Sequence, residues 1–361
     1  MQRIKKLQKL LASKKYCAFL ITHRPNLKYL CNFRGTRGIC LVTPRKAFFS
    51  TDARYFEEAK KNLPAGIKII QLEKFSKSIK TKYLYFEEQY LTIAQLKYYK
   101  KLMAGVKFRG AQNLVENLRM IKEPMEIKYT VIAQKIAEKV LRKIVAGLRE
   151  GATEKETMIL IKKLGYEFGA DETSFRPVVA FGKNSSVPHH EPGNRRLKKG
   201  DIVLIDMGMK YAGYCSDMTR VFFFKKPPTF AQKKIYNLVL EAQEKIITGL
   251  RAGISGKRAD SLARKFLERA GFAEKFLHNS GHGIGLEIHE IPTLGQTYKN
   301  KLPAGAIVTA EPGIYIENSF GVRIEDMVIL DSRGARNLTH FPKNLSSAII
   351  RPLRNGTGPC N

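Results

Sequence analysis

Residues 143–151 and 245–253 carry one pattern at a constant offset, and that repeat limits the folds open to this chain. Lys143-Ile144-x-x-Gly147-Leu148-Arg149-x-Gly151 matches Lys245-Ile246-x-x-Gly249-Leu250-Arg251-x-Gly253, 102 residues further on. A second helical pattern follows each copy and ends near a glycine, Gly169 or Gly271, again 102 apart. Each copy reads as a helix, a glycine-rich stop and a second helix, followed by strands. Two unrelated helix ends can share such a stop, but several features at one offset make coincidence the weaker explanation. The second segment is therefore predicted to be two related halves of an α+β domain with a cleft between them.

The boundary is placed near residue 118, giving domains of 1–118 and 119–354 in a chain of 361 residues. Residues 1–118 read as an α/β unit. A helix is expected over 1–15 and a strand over 17–22. Residues 39–43 and 47–50 form a hairpin around Pro44-Arg45-Lys46, and 54–61 form a helix stopped by Pro64 and Gly66. Two more strands are expected over 68–72 and 83–86. A long helix opens at Glu123-Pro124, with Ile127, Val131, Ile132 and Ile136 at helical spacing.

Five side chains then stand out. Ile202–Ile205 is an apolar strand that ends on Asp206, and a turn over 210–213 leads to a returning strand that carries Asp217. His282 lies among Gly281, Gly283 and Gly285, whose spacing excludes helix and lets backbone pass closely. Glu311 ends the apolar run 307–310 before Pro312-Gly313, and Glu325 follows Arg323 on one strand face. Turn capping explains Asp201. It does not explain Asp206 or Asp217, because an unpaired carboxylate at the end of a buried strand costs several kcal/mol, on the order of a broken buried pair. Four carboxylates repel one another unless cations neutralise them. An oxygen-rich shell with one imidazole suits Mn²⁺, Co²⁺ or Fe²⁺ and can hold Zn²⁺, whereas a structural zinc site favours thiolates. Two such metals side by side activate water and polarise a carbonyl, which is the chemistry of amide hydrolysis. Two divalent ions per subunit are expected, manganese first.

Five of the seven histidines (His189, His190, His278, His282 and His289) fall between the two halves of this candidate site, which favours a functional role. Glu287 and Glu290 read as surface or supporting charges. Arg323 either braces a ligand carboxylate or meets a substrate carboxylate, since a guanidinium pairs bidentately. Gly208 is expected to leave room beside Asp206.

In combination and order, the stretches IDMGMKYAGYCSDMTR, SGHGIGLEIHE, TAEPGIY and GVRIED resemble the pita-bread metallopeptidases, a family that includes aminopeptidase P, prolidase and methionine aminopeptidase. The resemblance spans almost the whole chain. It implies a creatinase-like N-terminal α/β domain ahead of a pseudo-symmetric pita-bread catalytic domain. It also implies that Asp206 chelates one metal, that Asp217 and Glu325 bridge both, and that His282 and Glu311 bind the second. A hydroxide shared by the metals would attack the carbonyl. Glu311 would relay a proton, His289 would stabilise the tetrahedral intermediate, and His189 would line the substrate site, with His278 as a further candidate there. The adjacent His190 is the weaker choice of that pair.

Methionine aminopeptidases of this family have only a short N-terminal extension. A domain like residues 1–118 points to the Xaa-Pro branch and to peptides with proline second. The resemblance implies a homodimer and favours aminopeptidase P. A prolidase restricted to dipeptides, or a methionine aminopeptidase-like enzyme, are the alternatives. A more distant rival is a non-catalytic nucleic-acid-binding protein, suggested by a net charge of +32. The lysines are scattered and no aromatic RNA-binding signature accompanies them, so replacement among solvated side chains is the preferred account. The five cysteines (17, 31, 40, 215 and 360) are odd in number and lack CxxC spacing, which fits a reducing cytoplasm. Cys215 reads as a packing residue. No apolar run approaches the roughly 20 residues that span a bilayer, and the basic N-terminus lacks a signal-peptide pattern.

Overall fold

The computed structural model describes residues 2–78 and 81–351, so Cys360 and the last three residues of the expected catalytic segment lie outside the described residues. The chain divides into two compact units, residues 1–119 and 120–361.

The first unit is built on a six-stranded mixed sheet. Its spatial order is Ile67–Ile69, Ala47–Thr51, Gly38–Val42, Phe19–Ile21, Tyr83–Glu87 and Lys107–Ala111. The expected hairpin pairs antiparallel, with Val42 opposite Ala47. The last strand was not expected from sequence. At the sheet edge it exposes Lys107, Arg109 and Gly110, half-buries Phe108 and buries only Ala111, so it offers no apolar run to read. The helix Arg24–Cys31 was also unforeseen, because Pro25 reads as a breaker. Here Pro25 sits in the first turn, where its missing N–H costs nothing.

In the second unit the repeat is visible in the backbone. Helix Pro124–Gly147 leads to Gly151, Thr153 and helix Glu154–Glu167, and helix Phe230–Gly249 leads to Gly253, Ser255 and helix Gly256–Arg269. Gly151 and Gly253 both take positive φ, as do Gly169 and Gly271. Thr153 and Ser255 cap the second helix of each pair. The fixed offset thus places stop, cap and helix at equivalent positions in both halves.

Each helix pair covers a sheet. The first half supplies Met218–Phe224, Ile202–Met207 and Val178–Phe181, in that order, and Ile349–Ile350 from the end of the unit adds a fourth strand beside Met218–Phe224. The second supplies five: Glu290–Leu294, Gly281–Gly283, Ile307–Ala310, Asp326–Leu330 and Ala335–Asn337. One apolar cluster joins Ile136, Val140, Leu141 and Ile144 of the long helix to Val203, Ile205 and Phe222. Another joins Val239, Ile246 and Ala263 to Val308, Val322 and Val328. Of the positions read as the helix's apolar face, Ile136 is buried, and Ile127, Val131 and Ile132 are half-buried.

Strand Ile202–Met207 runs through Asp206 instead of stopping at it, and Thr219 of the antiparallel neighbour stands directly opposite. Asp217 lies in the short link between Tyr214–Cys215 and Met218–Phe224. The turn is tighter than expected, with only Ala212 and Gly213 between paired residues. Gly208 has a different purpose from the one inferred. A Cβ there would collide with the Ser216 carbonyl, so the glycine permits close hairpin backbones. Gly281 is needed in the same way against the Thr309 carbonyl.

Candidate metal centre

Period-two geometry delivers the carboxylates to one place. Asp206 and Thr219 pair across one sheet, and Ala310 and Asp326, each the immediate neighbour of a candidate glutamate, pair across the other. Asp217, His282 and Glu325 offer ligand atoms that all lie within 4.8 Å of one another. His282 Nε2 is 3.3 Å from Glu311 Oε1 and 3.6 Å from Asp217 Oδ2. Asp206 joins the group through Arg323, whose Nη2 donates to Asp206 Oδ2 at 2.6 Å.

The electrostatics are unbalanced without a cation. Asp217 and Glu325 are almost fully buried. Burial pushes both carboxyls well above their ordinary range, and the neighbouring carboxylates add to the shift. Burial raises Glu311 as well. Asp206 Oδ1, Asp217 Oδ1 and Glu325 Oε1 are buried and have no hydrogen-bond partner. His282 Nδ1 lies 3.0 Å from the Gly283 carbonyl, which can only accept, so the proton sits on Nδ1. Burial lowers the basicity of this imidazole and so favours its neutral form. Its Nε2 lone pair therefore faces two carboxylates, an arrangement that a cation resolves and a proton-free gap does not. The donor set fits a divalent metal.

Several residues that hold this shell were not singled out from sequence. Thr219 Oγ1 donates to Glu325 Oε2 (2.7 Å) and accepts from Arg323 Nε (3.1 Å). Thr309 Oγ1 accepts from the His282 N–H and donates to Glu311 Oε1, each at 3.0 Å. Period two could have flagged both, since Thr219 follows Asp217 by two and Thr309 precedes Glu311 by two. Arg323 also donates through Nη1 to Tyr315 Oη (2.7 Å) and the Pro188 carbonyl (3.2 Å). Of the two roles open to Arg323, this geometry favours bracing Asp206. Behind Glu325, Arg220 Nη1 donates to its carbonyl at 2.6 Å, and Arg220 Nη2 pairs with Asp326.

The other histidines divide. His289 is exposed, with its ring edge-on to His282 at a centroid distance of 4.4 Å. His278 Nδ1 faces the Asn279 carbonyl at 2.8 Å, leaving Nε2 to accept from Tyr315 Oη at 2.9 Å. His189 is exposed and near enough that its charge would lower the basicity of His278 and His289. His190 instead meets Glu154 at 2.8 Å. Glu290 is not a surface charge, as it forms a buried pair with Lys122 at 3.0 Å and accepts from the Glu287 N–H. Cys215 is buried, and burial pushes its thiol up to about 11, which suits packing.

Residues 129–332 match metallopeptidase family M24, and residues 3–121 match the creatinase/prolidase N-terminal domain. The chain belongs to metallopeptidase family M24. It is a peptidase, which sets aside the reading as a non-catalytic nucleic-acid-binding protein. An M24 relative, the Xaa-Pro dipeptidase of Pyrococcus horikoshii, is 32% identical over 95% of this chain and 98% of its own. The solved structure of an Xaa-Pro dipeptidase from Bacillus anthracis superposes with a TM-score of 0.92 at 37% identity, covering 97% of this chain and 99% of that one. That of an X-Pro aminopeptidase from Thermotoga maritima MSB8 gives 0.87 at 32%, covering 96% and 100%. The expected M24 architecture, a creatinase N-terminal domain before a pita-bread catalytic domain, is therefore the fold of this chain. Among the described residues no helix is long and apolar enough to cross a membrane.

Proposed function

We propose that this chain is a dinuclear metal-dependent exopeptidase that hydrolyses the bond between a first residue and a proline second. The observation that carries this reading is the set of three buried carboxylate oxygens without partners, on Asp206, Asp217 and Glu325, beside the Nε2 lone pair of His282. Asp206, Asp217, His282, Glu311 and Glu325 would hold two divalent cations, manganese first and cobalt, iron or zinc as alternatives. When bound, such cations lower the pKa of a water and polarise the scissile carbonyl.

The chain's own groups supply the rest. Arg323, Thr219 and Thr309 orient the carboxylates, and the Gly283 carbonyl sets the His282 tautomer. Glu311, whose basicity burial raises, is suited to take the proton of the attacking water and return it to the departing proline nitrogen. That nitrogen carries no hydrogen in the substrate, so cleavage must supply one. His289, exposed and edge-on to His282, would donate to the developing oxyanion. His189 and His278 would flank the substrate.

The N-terminal domain match supports the Xaa-Pro branch over methionine aminopeptidase. Peptide length is a separate matter. We favour an aminopeptidase that accepts longer chains. Restriction to dipeptides is the second reading, and the likeness to the Xaa-Pro dipeptidases of P. horikoshii and B. anthracis favours it. We further propose a cytoplasmic homodimer. The test is hydrolysis of Ala-Pro, Ala-Pro-Ala and Met-Ala-Ser by metal-stripped protein with and without Mn²⁺. Metal-dependent release of alanine from both proline peptides supports the proposal. Release from Ala-Pro alone transfers it to the dipeptidase, and cleavage of Met-Ala-Ser alone rejects it.

A further inference from the structure

Glu154 opens the helix Glu154–Glu167, yet nothing about starting that helix requires its carboxylate. Thr153 and Glu156 already form the capping box, each accepting from the other's backbone N–H. The Glu154 side chain is fully buried, and it accepts four hydrogen bonds from outside its helix. Oε1 takes the Phe181 N–H and Asn184 Nδ2, both at 2.8 Å. Oε2 takes His190 Nε2 at 2.8 Å and the Gly193 N–H at 3.1 Å. A carboxylate has about four acceptor positions, so this one is saturated. Its partners lie at both ends and in the middle of the loop 182–193.

That loop carries His189. A carboxylate can only accept, so His190 must present Nε2–H to Glu154, which ties this ring to a fully buried carboxylate. The opposite side of the loop is held to the strand Phe320–Arg323. Ser185 Oγ accepts the Gly321 N–H at 2.9 Å, the Pro188 carbonyl accepts Arg323 Nη1 at 3.2 Å, and a Cβ on Gly321 would strike the Ser185 carbonyl. Arg323 is the same residue that braces Asp206. The histidine loop and the metal shell therefore share one anchor, and Glu154 is the other.

We propose that Glu154 is a positioning residue for the substrate site: through His190, Asn184 and the two backbone N–H groups it fixes the loop so that His189, of the adjacent pair, faces the reacting centre. What His189 does there rests on the Xaa-Pro peptidase reading; where the loop is held does not.

The test uses the full-length, Mn²⁺-loaded protein with Ala-Pro, together with Glu154→Gln, His190→Ala, His189→Ala and the Glu154→Gln/His189→Ala double variant. Glu154→Gln keeps the shape but turns an amide donor toward groups that already donate. It is expected to retain bound manganese and to lose up to about a hundredfold in kcat/KM, the scale of an ångström-sized misplacement. The double variant should be no slower than His189→Ala alone, because both changes remove the same contribution. If Glu154→Gln does not fold, His190→Ala, which breaks one of the four bonds, is read against His189→Ala in the same way. An independent readout comes from histidine ¹⁵N spectra of metal-free protein. Wild type should show the His190 Nε2–H in slow exchange with water. Glu154→Gln should lose it and shift the His189 resonances. Additive losses in the double variant, wild-type kcat/KM in both Glu154→Gln and His190→Ala, or unmoved His189 resonances would overturn the proposal. If wild type cleaves no Xaa-Pro peptide, the activity reading fails by itself, and the His189 resonances still decide whether Glu154 sets the loop.

Discussion

Arg323 Nη2 lies 2.6 Å from Asp206 Oδ2, while the other oxygen of the same carboxylate is buried with no partner. One half of Asp206 is thus fixed by a guanidinium and the other half is presented to the site. Arg323 is itself buried and donates to Thr219, Tyr315 and the Pro188 carbonyl, so it cannot turn away. Arg323→Lys should fold but cannot make all of these bonds at once, since an ammonium has three donors and lacks the planar fork. Metal affinity should fall about 10–100-fold, as when a group that supports a metal ligand is lost. Manganese titration of the metal-free variant checks this. Wild-type affinity would reassign Arg323 to the substrate.

Asp217→Asn should move stability in opposite directions with and without metal. In the metal-free protein burial, and then the neighbouring Glu325, Asp206 and Glu311, disfavour the Asp217 carboxylate, and an amide there removes that cost. A gain of about 1 kcal/mol would raise the metal-free Tm by roughly 2–4 °C in a domain of this size. Manganese should then stabilise the variant much less than wild type, because a ligand is gone. Thermal melts with and without manganese give both numbers. A lower metal-free Tm would mean that the aspartate has a stabilising partner in the empty site.

Gly281→Ala should damage the centre from behind. The added methyl meets the Thr309 carbonyl, and Thr309 Oγ1 holds both the His282 backbone and Glu311. Overpacking of this kind costs about 1–3 kcal/mol. Denaturant unfolding should show that loss together with weaker manganese binding. Loss of stability with unchanged binding would separate Thr309 from the site.

Much of this architecture can be read from the chain, for reasons that are local. The repeat works because stop, cap and helix start are short-range features, so Gly151-x-Thr153 and Gly253-x-Ser255 announce themselves. Asp206, Glu311 and Glu325 stand out because each adjoins an apolar strand. The bracing groups are less legible because their partners are distant. Thr219 finds Glu325 across 106 positions and Arg323 finds Asp206 across 117. The His189–His190 pair shows the limit most clearly. His190 is tied to a buried carboxylate while its neighbour His189 is exposed, and the residue that ties it, Glu154, lies 36 positions upstream on a helix.

The central claim is that the unpartnered oxygens of Asp206, Asp217 and Glu325 mark a two-cation site. Metal-stripped protein should be dialysed against excess Mn²⁺, freed of unbound ion and its manganese counted per chain by mass spectrometry, alongside Glu325→Ala. The account predicts two ions per chain in wild type and fewer in the variant. No retained manganese, cobalt, iron or zinc in wild type, or equal retention by both proteins, would contradict it.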